Sequence, residues 1–196
     1  MISCEAAMRN PLRAYRAFLL TAYVLLSTAS LAAQAAPGAK PWYAAELSKL
    51  GFTVFPEPVD VGDFSVQALG GASTKLSDQR DKLVLLNFWA TWCPPCRAEM
   101  PAIEKLWTKA KAGAFTVMGI SLGEEEGTVK AFIAKNGFTY PIFLDRGGDI
   151  GRAFHADAIP TTYIINKKGK AIAGIVGGAA YESAEAIELF SKLAAE

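Results

Sequence analysis

Leu83-Val84-Leu85-Leu86-Asn87-Phe88-Trp89 runs through Ala90-Thr91-Trp92 into Cys93-Pro94-Pro95-Cys96-Arg97-Ala98-Glu99-Met100-Pro101. The first seven residues are almost all apolar, as in a strand covered on both faces. After the cysteines, Met100, Ile103, Leu106 and Trp107 recur at helical spacing, so residues 94–112 are expected to form a helix. The cysteine pair therefore stands where a buried strand gives way to a helix. That position has a chemical consequence. The first turn of a helix leaves backbone N–H groups unpaired, and the macrodipole favours an anion there. Thiolate is the reactive form of cysteine, so Cys93 is expected to ionise more readily than a free thiol. Cys96 returns to the same side after almost one turn, deeper in the fold and within reach of a disulfide to Cys93. Cys93 can then attack a substrate disulfide, and Cys96 can resolve the mixed disulfide. Pro94 and Pro95 are tolerated because first-turn N–H groups have no helical partner to lose, and they stiffen the loop between the sulfurs. A static disulfide or half of a zinc site would also use a CxxC pair. The strand-then-helix setting and the lack of a second ligand pair nearby favour redox chemistry.

The sheet and helices around this segment follow from periodicity. Asp63–Leu69 alternates as a strand, with Gly70-Gly71 as a turn, and Phe115–Leu122 (FTVMGISL) reads as a second buried strand. Glu125–Asn136 reads as a helix closed by Gly137, with Val129, Phe132 and Ile133 inward. Thr162–Asn166 and Ala171–Val176 flank Lys167-Lys168-Gly169-Lys170 as a hairpin, and Glu182–Ala194 closes the chain as an amphipathic helix. Pro101 should kink the helix that contains it. Ahead of the domain, Trp42–Leu50 reads as a short helix, and Pro56 and Pro58 are expected to interrupt the chain. The pattern implies an α/β or α+β layered domain, a central mixed sheet with helices on both faces.

The amino-terminal segment has a different character. Arg9, Arg13 and Arg16 precede a largely apolar run, Ala17–Ala33, and Ala33-Gln34-Ala35 fits a small-x-small cleavage pattern. Residues 1–35 thus read as a secretory signal peptide, with an uncleaved anchor through residues 17–33 as the alternative. Met8 offers a tidier start than Met1. The leader would engage the membrane during export and deliver the chain to an oxidising, extracytoplasmic compartment such as the periplasm. Cys4 precedes all of this and is excluded from the chemistry. Residues 36–57 are read as a linker and lead-in helix, and residues 58–196 as the folded domain.

Charge and composition narrow the function. The chain has 196 residues, 20 basic and 19 acidic, with three cysteines and one histidine. Residues 1–35 hold three of the Arg and one Glu, so the remainder has a net charge of −1 and no excess to attract nucleic acid. The cysteine count excludes a dense disulfide scaffold.

The segment Asn87–Pro101 resembles the active-site stretch of thioredoxin-fold oxidoreductases, most of all the exported TlpA/ResA-like disulfide reductases. Val61-Gly62-Asp63-Phe64, Leu76-Ser77-Asp78 and Ile159-Pro160-Thr161-Thr162 follow in the family's order. The resemblance implies a three-layer thioredoxin-like fold with an N-terminal β-hairpin addition. It implies a cis peptide bond before Pro160, beside the cysteines. Catalytic roles fall on Cys93 and Cys96, with Glu124 as a proton acceptor. Trp92, Pro94, Pro95, Ile159, Pro160 and Thr161 are expected to shape the substrate site, and Trp89 to pack in the fold. Thioredoxins proper have a buried Asp where this chain has Asn87, which cannot shuttle a proton. The resemblance places a Glu after the next strand instead, where Glu124 stands. Glu124, Glu125 and Glu126 also read as a charge run at a helix start.

No cofactor is implied, because the dithiol carries two electrons itself, and no metal site is assigned. The implied partners are disulfide-containing exported proteins, such as apocytochromes c during haem attachment, and a membrane thiol–disulfide electron donor. Two alternatives use the same fold. A copper carrier would enlist Cys93, Cys96 and His155, although such carriers usually space their cysteines by three residues. A thiol peroxidase would keep its cysteine in a Thr-x-x-Cys setting, whereas Thr91 is two residues before Cys93. His155 otherwise reads as a loop histidine.

Overall fold

Alternate residues of the central strand β4 (Leu83–Trp89) point to opposite faces of the sheet and seed two separate cores. The computed structural model describes residues 40–196; the expected signal peptide, 1–35, and residues 36–39 of the expected linker lie outside the described residues. The elements before β4 are α1 (Ala44–Lys49), β1 (Thr53–Asp60), β2 (Ser65–Ala68), β3 (Ser73–Lys75) and a 3-10 turn at Leu76–Gln79. After it come α2 (Pro94–Ala110), β5 (Phe115–Leu122), α3 (Glu126–Asn136), β6 (Ile142–Asp145) and α4 (Asp149–Ala153). The hairpin β7 (Thr161–Ile165) and β8 (Lys170–Val176) precedes α5 (Ala184–Ala195).

The eight strands form one mixed sheet in the order β1-β8-β7-β4-β5-β6-β2-β3. β4, β5 and β6 are parallel and joined through α2 and α3, as parallel strands require. The other pairings are antiparallel. Leu83, Leu85 and Trp89 pack with Met100, Ile103 and Leu106 of α2, Val129 of α3 and Phe190 of α5. Val84, Leu86 and Phe88 pack on the opposite face with Met118, Ile120 and Phe154. That second face is closed by α4, its following loop and the 3-10 turn. The expected three-layer α/β architecture is present.

Two expectations are corrected near the amino terminus. Pro56 and Pro58 do not end the chain's regular structure; both lie inside β1. β1 is an edge strand whose pairing with β8 shifts register between Val54 and Val59. Prolines fit there because the missing N–H groups are not needed by a second neighbour. The lead-in is also part of the fold: Leu47 of α1 and Phe52 are buried in the same core as α2 and α5. The alternating segment at Asp63–Leu69 is strand only from Ser65 to Ala68, and forms the β2–β3 hairpin on the far edge. Elsewhere the boundaries agree closely. Gly137 closes α3 in the left-handed region, at φ 70°.

Candidate active site

Cys93 is the N-cap of α2, and Pro94 and Pro95 form its first two positions. The cysteines are joined as a disulfide. Cys93 Sγ accepts from the Cys96 backbone N–H at 3.3 Å, so a helix-terminal donor points at the sulfur expected to carry charge when reduced. Cys96 is fully buried and Cys93 only 3% exposed, the order of depth expected. The surrounding face is open: Pro94 and Pro95 are exposed, and Trp92 is 68% exposed beside the sulfurs. Trp89 is buried and packs on Phe132, as expected. A groove of about 450 Å³ runs along α2 past Pro94, Arg97 and Phe132.

The Ile159–Pro160 peptide bond is cis, as the resemblance implies. It brings the Ile159 carbonyl oxygen to 3.6 Å from Cys93 Sγ, where a reduced thiol has an acceptor. Pro160 and Thr161 are buried. Thr161 Oγ1 donates to the Ala158 carbonyl at 2.6 Å, and the Pro160 carbonyl accepts from Gly177 N–H at 2.8 Å. These groups hold the loop in place, and Ile159 is its part that borders the sulfurs.

Glu124 is buried, and its carboxylate is taken up by donors of its own neighbourhood. It accepts from the Thr91 backbone N–H and the Ser121 hydroxyl, both at 2.8 Å, and from the Thr91 hydroxyl. Glu124 stands just after β5, as expected, and its carboxylate ties the β4–α2 loop to the end of that strand. Its neighbours differ in kind. Glu125 and Glu126 lie on the surface against Arg146, at 3.9 and 3.3 Å. His155 is an exposed loop residue with positive φ. No three metal-ligating side chains cluster among the described residues, so His155 is not gathered with the cysteines for copper.

The sequence reading missed a second carboxylate. Glu99 lies one turn after Cys96 on the buried side of α2 and is 6% exposed. Its Oε1 accepts from the Asn87 amide at 2.8 Å, and the same amide donates to Thr162 Oγ1 at 2.9 Å. Asn87, β4's inward polar residue, is in register with Thr162 on β7 and Gly119 on β5. Burial pushes the Glu99 carboxyl up to about 7, against the opposing pull of the Asn87 hydrogen bond. The signal was present in the helix ladder: Cys96, Glu99, Ile103, Leu106 and Ala110 follow the inward spacing. A carboxylate on that ladder is the anomaly that marks it.

The comparisons agree with this geometry. The model of the AhpC/TSA family matches residues 59–173. A thiol-disulfide oxidoreductase ResA from Geobacillus kaustophilus is 34% identical over 149 residues, covering 71% of this chain and 86% of the relative. The thioredoxin-like protein YneN of Bacillus subtilis is 44% identical over 110 residues, 55% of this chain and 64% of the relative. Among solved structures, a thiol:disulfide interchange protein of the thioredoxin family from Chlorobium tepidum TLS superposes with a TM-score of 0.62. It is 28% identical and aligns over 71% of this chain and 98% of its own. The chain belongs to the AhpC/TSA family and, within it, to the ResA-like thioredoxin-fold thiol–disulfide oxidoreductases.

Proposed function

We propose that this oxidoreductase is an extracytoplasmic reductase of client-protein disulfides, with Cys93 as nucleophile, Cys96 as resolving thiol and Glu99 as proton acceptor. The observation that carries the reading is a helix-capping disulfide with a buried carboxylate one turn beneath it. In the reduced enzyme, the Cys93 thiolate attacks one sulfur of the client disulfide and releases the other as a thiolate. The Cys96 thiol then gives its proton to Glu99, and its thiolate attacks Cys93 Sγ. The enzyme disulfide forms, the second client thiolate leaves, and two electrons have passed to the client. A carboxyl titrating near neutrality suits this exchange, since it accepts a proton without holding it too tightly. Glu124 serves by holding Thr91, two residues before Cys93. Trp92, Pro94, Pro95 and the Ile159–Thr161 loop frame the surface on which the client docks.

The leader supports export, with an anchor through residues 17–33 as its retained form. Exported proteins with disulfides are then the clients, apocytochromes c among them, and a membrane thiol–disulfide protein returns the electrons. Trapping tests the order of events. The reduced Cys96→Ser variant should accumulate a one-to-one mixed disulfide with a disulfide-bearing peptide, held through Cys93. Cys93→Ser should form none. Equal trapping through Cys96 in the Cys93→Ser variant would overturn the assigned roles.

A further inference from the structure

Five buried side-chain atoms among the described residues have no hydrogen-bond partner: Asn87 Oδ1, Trp89 Nε1, Glu99 Oε2, Tyr140 Oη and Tyr181 Oη. Unpaired buried polar atoms are costly, and a group of them needs an explanation. Asn87 is bonded to Glu99 Oε1. A Cβ on Gly119, in register with Asn87, would lie 2.9 Å from the Tyr140 ring and 3.4 Å from Trp89 Nε1. The missing side chain at Gly119 therefore makes the space that Tyr140, Trp89 and Ile142 share. On the other side, Gly178 lies over Glu99, its virtual Cβ 3.3 Å from Oε2. Tyr181, three residues later, is fully buried beside Thr162 without meeting hydrogen-bond geometry to it. The Glu99 charge acts on both phenols.

We propose that Tyr140 and Tyr181 are positioning residues for Glu99, their hydroxyls donating to Oε2 through a shared internal water. The chemistry of the set favours this. Two phenols and an indole supply three donors, against two obligate acceptors, the Glu99 carboxylate oxygen and the Asn87 amide oxygen. A polar chamber with two to four partners is what holds a buried water. Burial keeps both phenols protonated, so they remain donors when Glu99 ionises. Asn87 on β4 bonds Glu99 and also reaches Thr162 on β7, and Tyr140 before β6 and Tyr181 before α5 both feel the Glu99 charge. Glu104, further along α2, adds a second negative charge near Tyr140. Among the described residues, no basic side chain influences Glu99. Its ionised form therefore depends on neutral donors: Asn87 on one oxygen and the phenols on the other.

The inference rests on Glu99 as proton acceptor only for its meaning in catalysis; the titration itself is measured apart from turnover. The full chain, in its Cys93–Cys96 disulfide form, is labelled with ¹³C at the glutamate carboxyls, and the Glu99 signal is assigned by its loss in Glu99→Gln. Tyr181→Phe and Tyr140→Phe keep ring volume and remove only the hydroxyl. Each should raise the Glu99 midpoint by about one pH unit, the size of one hydrogen bond to a charge. Amide spectra check that both variants keep the fold. Folded variants with an unmoved midpoint would overturn the proposal. If the midpoint moves while Glu99→Gln leaves the pH profile of mixed-disulfide resolution unchanged, the phenols hold Glu99 and the acceptor reading fails. If that profile shifts with the phenol variants, both stand.

Discussion

Glu99 is a carboxylate folded into an apolar helix ladder, so its protonation is tied to stability. Its carboxyl titrates at about 7 in the fold against 4.5 when exposed. Between those values the native chain holds a proton that the unfolded chain has released. Stability contributed by this site is fully present below 4.5 and falls as pH rises through 7. The slope is about 1.4 kcal/mol per pH unit inside the window. Glu99→Gln has no proton to lose. Denaturant unfolding of the oxidised protein at pH 5, 6 and 7 should therefore show wild type losing ground steadily to Glu99→Gln. A constant difference across those pH values would mean that Glu99 does not titrate there. The residue was legible only in part. Cys93 and Cys96 announce themselves by spacing and context, whereas Glu99 sits between Ala98 and Met100 and looks like an ordinary helix glutamate. Its burial depends on which side of α2 meets β4, and that orientation is a tertiary fact.

The turn from β4 into α2 is held by a carboxylate from another strand end. Glu124 collects donors from Thr91 and Ser121, and so fixes the loop that delivers Cys93 to its cap. Glu124→Ala strands the Thr91 N–H and two hydroxyls. It should cost about 1–3 kcal/mol in unfolding free energy. It should also slow exchange with protein disulfides, while the pH midpoint of the Cys96 step stays where Glu99 sets it. Loss of that midpoint in Glu124→Ala would return the acceptor role to Glu124. The element was read correctly from its run of apolar residues, and the glutamate's importance was also visible. What sequence spacing does not show is its partners, because a strand end carries no marker for what its side chain meets. β1 escaped for a related reason. Two prolines argue against a strand, and only the edge position beside β8 makes them acceptable.

At the largest scale, residues 40–196 form a sheet with one core on each face, and the cysteines belong to only one of them. β4 and β5 were legible because both of their faces are buried, which removes polar residues almost entirely. β6, four residues long, and α4, five residues long, were too short to carry a period. The lead-in carries no sequence sign of where it packs, yet Leu47 and Phe52 share a core with α2 and α5. A helix of six residues has little amphipathic signal of its own and is stabilised by the surface it covers. All of this scaffold serves a dithiol whose chemistry is read by its potential. The purified residues 36–196 are equilibrated in dithiothreitol or glutathione buffers, and tryptophan emission reports the state of the pair, with Trp92 beside the sulfurs. A single reversible two-electron transition is expected, near the ~−270 mV of thioredoxin, and absent in Cys96→Ser. A midpoint near the ~−120 mV of strong oxidants would reverse the direction of electron flow, and no reversible transition at all would contradict thiol–disulfide exchange at Cys93 and Cys96.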